Sequence, residues 1–384
     1  MKRSFSSITK EPHDELLEWA TGRGVKLNGI TPKRIPGRGI GLVATRVIKS
    51  EEVVLEVPTQ CIRTISTVPK ALKQKLPSTL SVHGLLAADL ALDTSETYTP
   101  WNAVCPRPED FTTAPLLWPP ELQALLPPPA RDLLFKQQTK FARDWAAVAA
   151  AFPDLGEDDY RYAWLLVNTR TFYYLNPQLK RRGKEDHMCL QPVADLFNHG
   201  AEGCNVAFDH AGFAIKALQP YDAGEEVKIC YGRHGCDFLL AEYGFVMEGN
   251  RWDEVGLDDI VVPRLSERQR EMSEEADFLG KYVLDRDTVC YRTQVALRLL
   301  CCGSRQWRRF LDGVDDGESS QAAVDELLGK MLKQYQVDIE GKMQEIEELK
   351  VGETAQKEIL LARWKQIQEL LEAQTSRLDG TPGE

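Results

Sequence analysis

The sequence has no long hydrophobic run, no surplus of basic residues and no regular cysteine spacing. A membrane-spanning helix needs about 20 consecutive apolar residues, and the chain of 384 residues contains no such stretch. The formal net charge of −11 argues against non-specific binding to nucleic acid, because that affinity comes from Lys and Arg side chains that neutralise phosphates. The sequence therefore disfavours membrane-spanning proteins and general nucleic-acid binders.

The nine cysteines are an odd number without a repeating interval, and this does not indicate a disulfide framework in so long a chain. We expect free thiols, and hence a protein of the cytoplasm, the nucleus or both. Residues 1–7 are basic and rich in serine, but acidic residues follow and no apolar signal core is present. A short organellar transit peptide is the weaker alternative.

The chain does contain enough apolar material for two cores, since 43% of its residues are hydrophobic and 8% are aromatic. This composition excludes wholesale disorder. The acidic surplus lies near the C-terminus, where residues 311–384 hold 17 acidic and 8 basic side chains. These charges predict either solvated helical faces or an acidic surface that attracts a basic protein partner.

Short runs of β-branched and apolar residues between turn signals predict several strands, which follow a helix at residues 14–20. The predicted strands are residues 41–47, 52–57, 188–193 and 226–230. Residues 204–208 and 213–218 flank Asp209-His210-Ala211-Gly212, a sequence typical of a hairpin turn.

Two regions have helical periodicity instead. Between about Pro69 and Tyr174, apolar residues recur every three or four positions, and proline-rich loops separate the helices. Beyond about Val261 everything is predicted to be helical, and apolar stripes over 324–349 and 360–371 predict two antiparallel helices.

These patterns predict an α+β fold in which a domain of short sheets carries a helical insertion and is followed by an all-helical C-terminal domain. The predicted parts are residues 1–68, the N-terminal segment and first part of the β-domain; 69–165, the insertion; 166–250, the second part of the β-domain; and 251–384, the helical domain.

The first candidate motif is Gly37-Arg38-Gly39-Ile40-Gly41. It opens a strand rather than a helix, so it does not fit a dinucleotide-binding fingerprint. A glycine-rich turn can bring bare backbone N–H and C=O groups against a ligand, although a plain tight turn is the default interpretation.

The second motif is Asp195-Leu-Phe-Asn198-His199. A zinc site would recruit His187, Cys189, His199, Cys204 and His210. These positions contain no Cys-x-x-Cys pair and lie on alternating predicted strands, which disfavours zinc. A histidine in this setting is more often a hydrogen-bonded core residue than a ligand.

The third group comprises Tyr231-Gly232 and Tyr243-Gly244-Phe245. Tyrosines at strand ends are usually half-buried packing residues with a satisfied hydroxyl, so neither element establishes a function alone. The basic run at residues 180–184 adjoins Glu185 and Asp186, which predicts a solvated loop rather than a nucleic-acid site.

In their order along the chain, the motifs resemble those of SET-domain methyltransferases. They are Gly39-x-Gly41-x-x-Ala44, Asp195-x-x-Asn198-His199, Glu226-Val-x-Ile-x-Tyr231-Gly232 and Tyr243-Gly244-Phe245. The helical insertion and the helical C-terminal region resemble the branch typified by the plant Rubisco large-subunit lysine methyltransferase. Trp101, residues 115–118 and Glu121-Leu122 also match that branch. The resemblance covers about residues 15–250 well and the C-terminal region only in architecture.

This resemblance implies S-adenosylmethionine as cofactor, S-adenosylhomocysteine as product, and no metal. It implies Tyr231 as the catalytic residue. The implied cofactor-binding residues are Arg38, Gly39, Ile40, Arg170, Asn198, His199, Tyr231, Tyr243 and Phe245. The implied lysine-binding residues are Thr169, Phe172, Asp195, Ile229, Tyr243 and Phe245.

The implied chemistry suits these residue types. Only a neutral amine can attack the methyl group, and deprotonating a lysine of pKa about 10.4 at pH 7 costs roughly 4 to 5 kcal/mol. An apolar aromatic channel and a neighbouring sulfonium charge both lower the lysine pKa, so no general base is strictly needed. Main-chain carbonyls at about Arg170 and Asp195, with the Tyr231 hydroxyl, would align the methyl group.

The resemblance favours a lysine of a non-histone protein as substrate, and a monomeric enzyme. In a related branch that methylates a histidine of actin, Asn occupies the place of Phe172, and an apolar residue suits a lysine stem better. Histidine methylation and a catalytically weak binding scaffold are the alternatives. Two departures from the family pattern are Gly200, where Ser is usual, and Ser50-Glu51, where a turn glycine is usual.

Overall fold

A computed structural model describes residues 11–175, 183 and 186–380. Residues 1–7 lie outside the described residues, as does the basic run at 180–184 apart from Gly183. No helix in the described part of the chain is long and apolar enough to cross a membrane.

The strands are short and lie mostly in the first two thirds of the chain. They are β1 Lys26–Leu27, β2 Ile30–Ile35, β3 Gly39–Ala44, β4 Val53–Pro58, β5 Arg63–Thr64, β6 Phe172–Tyr173, β7 Met188–Leu190, β8 His199–Phe208, β9 Gly212–Lys216, β10 Glu226–Val227, β11 Val255–Gly256 and β12 Val283–Leu284. Those described form small antiparallel sheets with the orders β1-β4-β9-β8, β10-β3-β2, β5-β7-β6 and β11-β12.

Most helices fall into the insertion and the C-terminal region; the exceptions are α1 at the start and α8, which lies in the predicted second part of the β-domain. They are α1 Pro12–Thr21, α2 Lys70–Lys75, α3 Val82–Ala91, α4 Thr99–Asn102, α5 Pro120–Gln123, α6 Pro128–Ala151, α7 Glu157–Arg170, α8 Cys236–Tyr243, α9 Asp258–Val261, α10 Glu267–Glu275, α11 Tyr291–Cys301, α12 Ser304–Leu311, α13 Glu318–Glu348 and α14 Thr354–Leu378. Mixed small sheets and a helical C-terminal region confirm the predicted α+β class.

The chain divides into two compact units. The first comprises Met1–Phe111 and Gln137–Arg233, and the second comprises Thr112–Lys136 and His234–Glu384. The first unit therefore holds β1 to β10 and the second holds α8 to α14. Each unit gathers segments that are distant in sequence.

The predicted hairpin after residue 204 is confirmed, because β8 and β9 pair antiparallel with Phe208 opposite Phe213. The strands predicted at 41–47 and 52–57 appear as β3 and β4, but they join different sheets. The pattern did not predict β2, whose Pro32 lacks a backbone N–H, yet β2 pairs with β3 along its whole length.

The prediction that everything beyond about Val261 is helical is wrong at β12. This strand pairs with β11, with Val255 opposite Leu284. Just before β12, the backbone N–H groups of Lys281 and Tyr282 donate to the Asp258 carboxylate at 2.9 and 2.7 Å. Because the residue that accepts these hydrogen bonds lies more than 20 positions earlier in the chain, local helical periodicity cannot reveal the strand.

The core of the second unit centres on α13 and α14. Apolar residues at helical spacing are buried on both helices, among them Leu328, Leu332, Ile339, Leu360 and Trp364. Burial of each such aliphatic side chain stabilises the unit by about 1.5–3 kcal/mol. Lys333 contacts Asp379 at 3.3 Å, while Lys357 donates to the Leu349 carbonyl at the other end, so the two helices run antiparallel as predicted.

Candidate active site

The glycine motif forms the tip of the hairpin between β2 and β3, where Ile35 pairs with Gly39. Gly37 and Gly39 have φ values of 73° and 70°, in the left-handed region that side chains disfavour. No atom lies within 4 Å of the place a Cβ would take at either glycine. The turn therefore has open space where side chains at these two positions would lie.

Gly41 brings this turn against the second motif. A Cβ at Gly41 would lie 2.5 Å from Ile35 Cδ1 and 2.7 Å from Asn198 Nδ2, so the asparagine amide rests directly on the glycine. Two motifs separated by more than 150 residues thus meet in the first unit.

Glu226 joins these motifs electrostatically. Its Oε1 accepts a hydrogen bond from Asn198 Nδ2 at 2.8 Å, and its Oε2 pairs with Arg38 Nη1 at 2.5 Å. Sequence reasoning missed Glu226 as a site residue and treated it only as the start of a strand. Its place in the motif with Tyr231 was the available signal.

Tyr231 is positioned by unusual backbone pairing after β10. Ile229 forms parallel bridges with His199 and Cys204, and its N–H donates to the Asn198 carbonyl at 3.1 Å. Two residues later, the Tyr231 N–H donates to His199 Nδ1 at 3.1 Å. The pairing thereby places the predicted catalytic tyrosine beside the Asn-His motif.

The Tyr231 hydroxyl donates to the Phe197 carbonyl oxygen at 2.6 Å. Burial raises the pKa of Tyr231 to about 12. The phenol is therefore neutral at physiological pH and acts as a hydrogen-bonding group rather than as a base.

Arg170, at the end of α7, lies against Asp195. Its Nη1 donates to the Asp195 main-chain carbonyl at 2.5 Å and lies 3.8 Å from the Asp195 carboxylate. The carboxylate also accepts a hydrogen bond from Trp101 Nε1 at 2.8 Å. Burial raises the pKa of Asp195, while the Arg170 charge acts in the opposite direction. Sequence reasoning gave Trp101 no role, although it noted the residue as a match to the branch.

The predicted lysine-binding residues of the first unit lie on separate elements. Phe172 is half-buried in β6 and contacts Phe213 edge-on, with ring centroids 6.3 Å apart. Thr169 donates its hydroxyl to the Leu165 carbonyl at 2.8 Å within α7. Ile229 is buried. Their roles towards a substrate stay predictions.

Tyr243 and Phe245 belong to the second unit, where α8 ends. Gly244 between them has a φ of 76°, and its missing Cβ would lie 3.0 Å from the Ala114 nitrogen. Glycine is therefore required both by the backbone conformation and by the close approach. The two rings are 6.1 Å apart. Their part in a channel also stays a prediction.

Gly200 is explained by local packing. A Cβ there would lie 2.6 Å from the Glu202 carbonyl oxygen and 3.2 Å from Lys228 Cβ. The Ser that is usual at this position would force the surrounding strands apart, so glycine suits this particular backbone.

The residues of the first unit fit S-adenosylmethionine. The Cβ position of Gly39 faces open space, the Asn198 amide lies against nearby Gly41, and Arg170 Nε is buried without a hydrogen-bond partner among the described residues. Amide, main-chain and guanidinium groups suit a ligand with a base, a ribose and a carboxylate. In the described part of the chain, no group of three His, Cys, Asp or Glu side chains is arranged to hold a metal ion.

Comparison with known families gives two matches. Residues 39–232, about half of the chain, match the SET domain. Residues 253–377 match the family described as the C-terminal domain of ribosomal lysine N-methyltransferase 2.

Several curated relatives align over most of the chain. Ribosomal lysine N-methyltransferase set11 of Schizosaccharomyces pombe is 25% identical over 348 residues, which cover 86% of this chain and 89% of the relative. Human SET domain-containing protein 4 is 24% identical, with coverage of 91% and 86%. Actin-histidine N-methyltransferase of Gallus gallus is 29% identical, but the alignment covers 63% of this chain and 43% of that protein.

The fold is that of solved lysine methyltransferase structures. The structure of Rubisco LSMT bound to AdoMet matches with a TM-score of 0.60 and 18% identity, covering 98% of this chain and 95% of that one. The SET domain of LSMT bound to lysine and AdoHcy matches with a TM-score of 0.61 and 17% identity, covering 96% and 93%. The chain therefore belongs to the SET-domain family of S-adenosylmethionine-dependent protein-lysine methyltransferases.

Proposed function

We propose that this protein methylates a lysine side chain of a ribosomal protein and that Tyr231 is its catalytic residue. The observation that carries the proposal is the Tyr231 hydroxyl, held by the Phe197 carbonyl next to Asn198, together with the Asn198–Glu226–Arg38 cluster at the glycine turn. Support for the substrate class comes from the match of residues 253–377 and from the long alignment with set11 of Schizosaccharomyces pombe.

S-adenosylmethionine supplies an electrophilic methyl group on a sulfonium. The main chain at residues 38–40 and the Asn198 amide bind the cofactor, and Glu226 fixes that amide by accepting its N–H. The neutral Tyr231 hydroxyl and the Asp195 main-chain carbonyl provide oxygens that orient the reacting groups. Because these groups are fixed before the substrate arrives, little reorganisation is needed during transfer.

The target lysine must lose its proton before transfer. Phe172 and the buried Ile229 offer apolar surface, which disfavours the ammonium form and lowers the lysine pKa. An apolar wall also suits the aliphatic stem of lysine better than an imidazole that needs a hydrogen-bond partner. We therefore favour lysine over histidine as the methylated residue.

We also assign roles to the predicted regions and a compartment to the protein. The predicted insertion 69–165 positions the methyl-transfer site, and the predicted region 251–384 binds the protein substrate, to which its acidic helices would attract a basic partner. All nine cysteines are free thiols, which supports a reducing compartment, cytoplasmic or nuclear. We expect the enzyme to act as a monomer.

The test is methyl transfer from radiolabelled S-adenosylmethionine to ribosomes from cells that lack this protein. We expect label in a ribosomal protein, recovered after hydrolysis as methyl-lysine. Mass spectrometry then identifies the protein and the lysine. Tyr162→Phe is a suitable control, because this hydroxyl donates to the Pro106 carbonyl and is assigned no role.

The alternatives give different results. Label recovered as methylhistidine would establish the histidine reaction and contradict the assignment based on Phe172. Label confined to proteins outside the ribosome would contradict the substrate class. A protein that shows no heat of binding with S-adenosylmethionine in calorimetry would be a binding scaffold and not an enzyme.

A further inference from the structure

We infer that Trp101, from the helical insertion, is a positioning residue for methyl transfer: its indole N–H holds the Asp195 carboxylate and thereby helps to fix the Asp195 main-chain carbonyl. The inference rests on the proposed function, in which that carbonyl oxygen orients the reacting groups. Trp101 Nε1 donates to Asp195 Oδ2 at 2.8 Å, and both residues are buried, at 4% and 8% exposure.

Asp195 is held at two points by two different elements. Trp101 in α4 holds its side chain, while Arg170 at the end of α7 donates to its main-chain oxygen at 2.5 Å. A residue restrained at both its side chain and its carbonyl cannot rotate its peptide plane without breaking one of these bonds. The carbonyl oxygen therefore has one orientation.

The loop before Asp195 needs such restraint. Val193 is fully buried with φ 68° and ψ −44°, a conformation that is unfavourable for a β-branched residue. Strain of this kind persists only where the surroundings over-determine the backbone, and it is typical of functional sites. The bonds to Asp195 lie two residues further on and supply part of that restraint.

Trp101 is itself held in place. Its ring contacts Tyr98 edge-on with centroids 5.8 Å apart, and the Arg63 guanidinium lies 4.2 Å above the Tyr98 ring. Arg63 is buried and pairs with Asp89 of α3 at 2.6 Å. A continuous set of contacts therefore runs from the insertion to the transfer site, all within the first unit.

The predicted effect is on the rate of transfer rather than on binding. Trp101→Phe keeps an aromatic ring but removes the N–H, so the carboxylate loses a hydrogen bond and the Asp195 carbonyl gains freedom. Small displacements of an orienting group cost rate steeply, by up to about 100-fold for 1 Å. The cofactor contacts at Gly39 and Asn198 are unchanged.

The experiment compares Trp101→Phe with Trp307→Phe in the full chain. Trp307 has no exposed surface that a substrate could contact, and it donates its indole N–H to the Val295 carbonyl at 3.1 Å in the second unit, so it is a matched control. We expect Trp101→Phe to lower kcat about 10-fold, with KM and the Kd for S-adenosylmethionine within about twofold of wild type. Trp307→Phe should keep kcat within about twofold.

A second measurement does not depend on activity. In ¹⁵N-labelled protein the indole signal that disappears in Trp101→Phe belongs to Trp101. We expect it to exchange slowly with water and to shift in Asp195→Asn, whereas the Trp307 signal should not shift. The Trp101 signal can be assigned even if Trp101→Phe folds too poorly for kinetics. Single substitutions of the other tryptophans, including Trp307→Phe, identify their indole signals, and the remaining signal belongs to Trp101.

Three results would overturn the inference: equal kcat in the two Phe variants, an equal loss of kcat and cofactor affinity in Trp101→Phe, or a Trp101 signal that is unaffected by Asp195→Asn. These differ from failure of the proposed function, in which wild-type protein transfers no methyl group to any ribosomal protein. In that case the indole measurement still tests the contact with Asp195.

Discussion

Tyr231 illustrates at the residue scale how surroundings set the chemistry of a side chain. Burial raises its pKa to about 12, and its hydroxyl donates to the Phe197 carbonyl at 2.6 Å. The hydroxyl proton is therefore directed at the Phe197 carbonyl, and a phenol oxygen can also accept hydrogen bonds. A phenol held in this way orients reacting atoms without taking a proton from them.

We expect Tyr231→Phe to lower kcat by about 100-fold, because an orienting oxygen is lost from the site. Loss of the hydrogen bond to Phe197 should reduce the free energy of unfolding by about 1 kcal/mol. Single-turnover transfer of labelled methyl and urea unfolding measure the two effects.

Tyr160→Phe is the control for this change. Tyr160 is fully buried, and its hydroxyl donates to the Gly84 carbonyl at 3.3 Å, so its substitution should cost similar stability but leave kcat within about twofold. Equal activity of Tyr231→Phe and wild type would remove Tyr231 from the catalytic role.

The second departure from the family pattern places Glu51 at a turn position with a positive φ. It takes the place where a turn glycine is usual, and it has a φ of 68°. A non-glycine residue in this region costs about 1–3 kcal/mol, which exceeds the extra entropy that glycine has in the unfolded chain. Its ion pair with Lys216 at 3.2 Å is exposed and stabilises the fold little.

Glu51→Gly should therefore raise the free energy of unfolding by about 0.5–1 kcal/mol, measured by urea unfolding. Lys49→Gly, at a nearby turn position without a positive φ, should instead lower it by a similar amount. A loss of stability in Glu51→Gly would show that the strain is offset by contacts of the Glu51 side chain.

At the scale of elements, α3 carries a histidine that makes folding sensitive to pH. Burial, together with the charge of Lys140, lowers the pKa of His83 to about 3. Its Nε2 lies 3.4 Å from the Thr171 hydroxyl, which joins α3 to the residue after α7. The folded protein thus keeps His83 neutral where an unfolded chain would protonate it.

Acidification should therefore destabilise the folded protein through His83. Between pH 6.5 and about 3 the unfolded chain binds a proton that the folded protein does not, so stability falls as the pH falls through this window. At pH 5 the expected loss is about 2 kcal/mol relative to pH 7.5. Urea unfolding at both pH values measures it.

His83→Gln removes the titrating group and should lose about 2 kcal/mol less than wild type on acidification. The exposed His210→Gln is the control and should behave as wild type. An identical pH dependence in all three proteins would contradict the assignment to His83.

Local sequence patterns predict some of these elements but not others. The hairpin of β8 and β9 follows from a four-residue turn between two apolar runs, and the stripes of α13 and α14 follow from helical periodicity. By contrast, β12 depends on Asp258, and the parallel pairing of Ile229 with His199 depends on a segment some 30 residues away. Non-local hydrogen bonds of this kind leave no periodic signal.

At the scale of the whole molecule, each unit closes on segments that are far apart in sequence. In the second unit Arg363 of α14 is fully buried and pairs with Asp237 of α8 at 2.7 Å and with Asp253 at 2.6 Å. Its guanidinium also donates to the Glu254 carbonyl at 3.2 Å. Burial lowers the pKa of Arg363, but the two carboxylates outweigh it and raise the pKa overall.

Arg363→Met should destabilise the second unit by about 3–5 kcal/mol, because it leaves two buried carboxylates without a counter-charge. Calorimetry or denaturant unfolding gives the value. Lys330→Met, which breaks the exposed pair with Glu326, should change stability by about 0.5 kcal/mol or less. Similar effects from the two substitutions would show that the buried cluster is not needed for stability.

The sequence by itself determined the α+β class, the order of the motifs and the residue types that methyl transfer requires, because turn chemistry, periodicity and short motifs are local properties of a chain. Tertiary structure alone decided that Asn198 rests on Gly41, that Glu226 links Asn198 to Arg38, and that Trp101 holds Asp195. These contacts join residues tens to more than a hundred positions apart. Their existence depends on how the strands and helices pack, which no local pattern specifies.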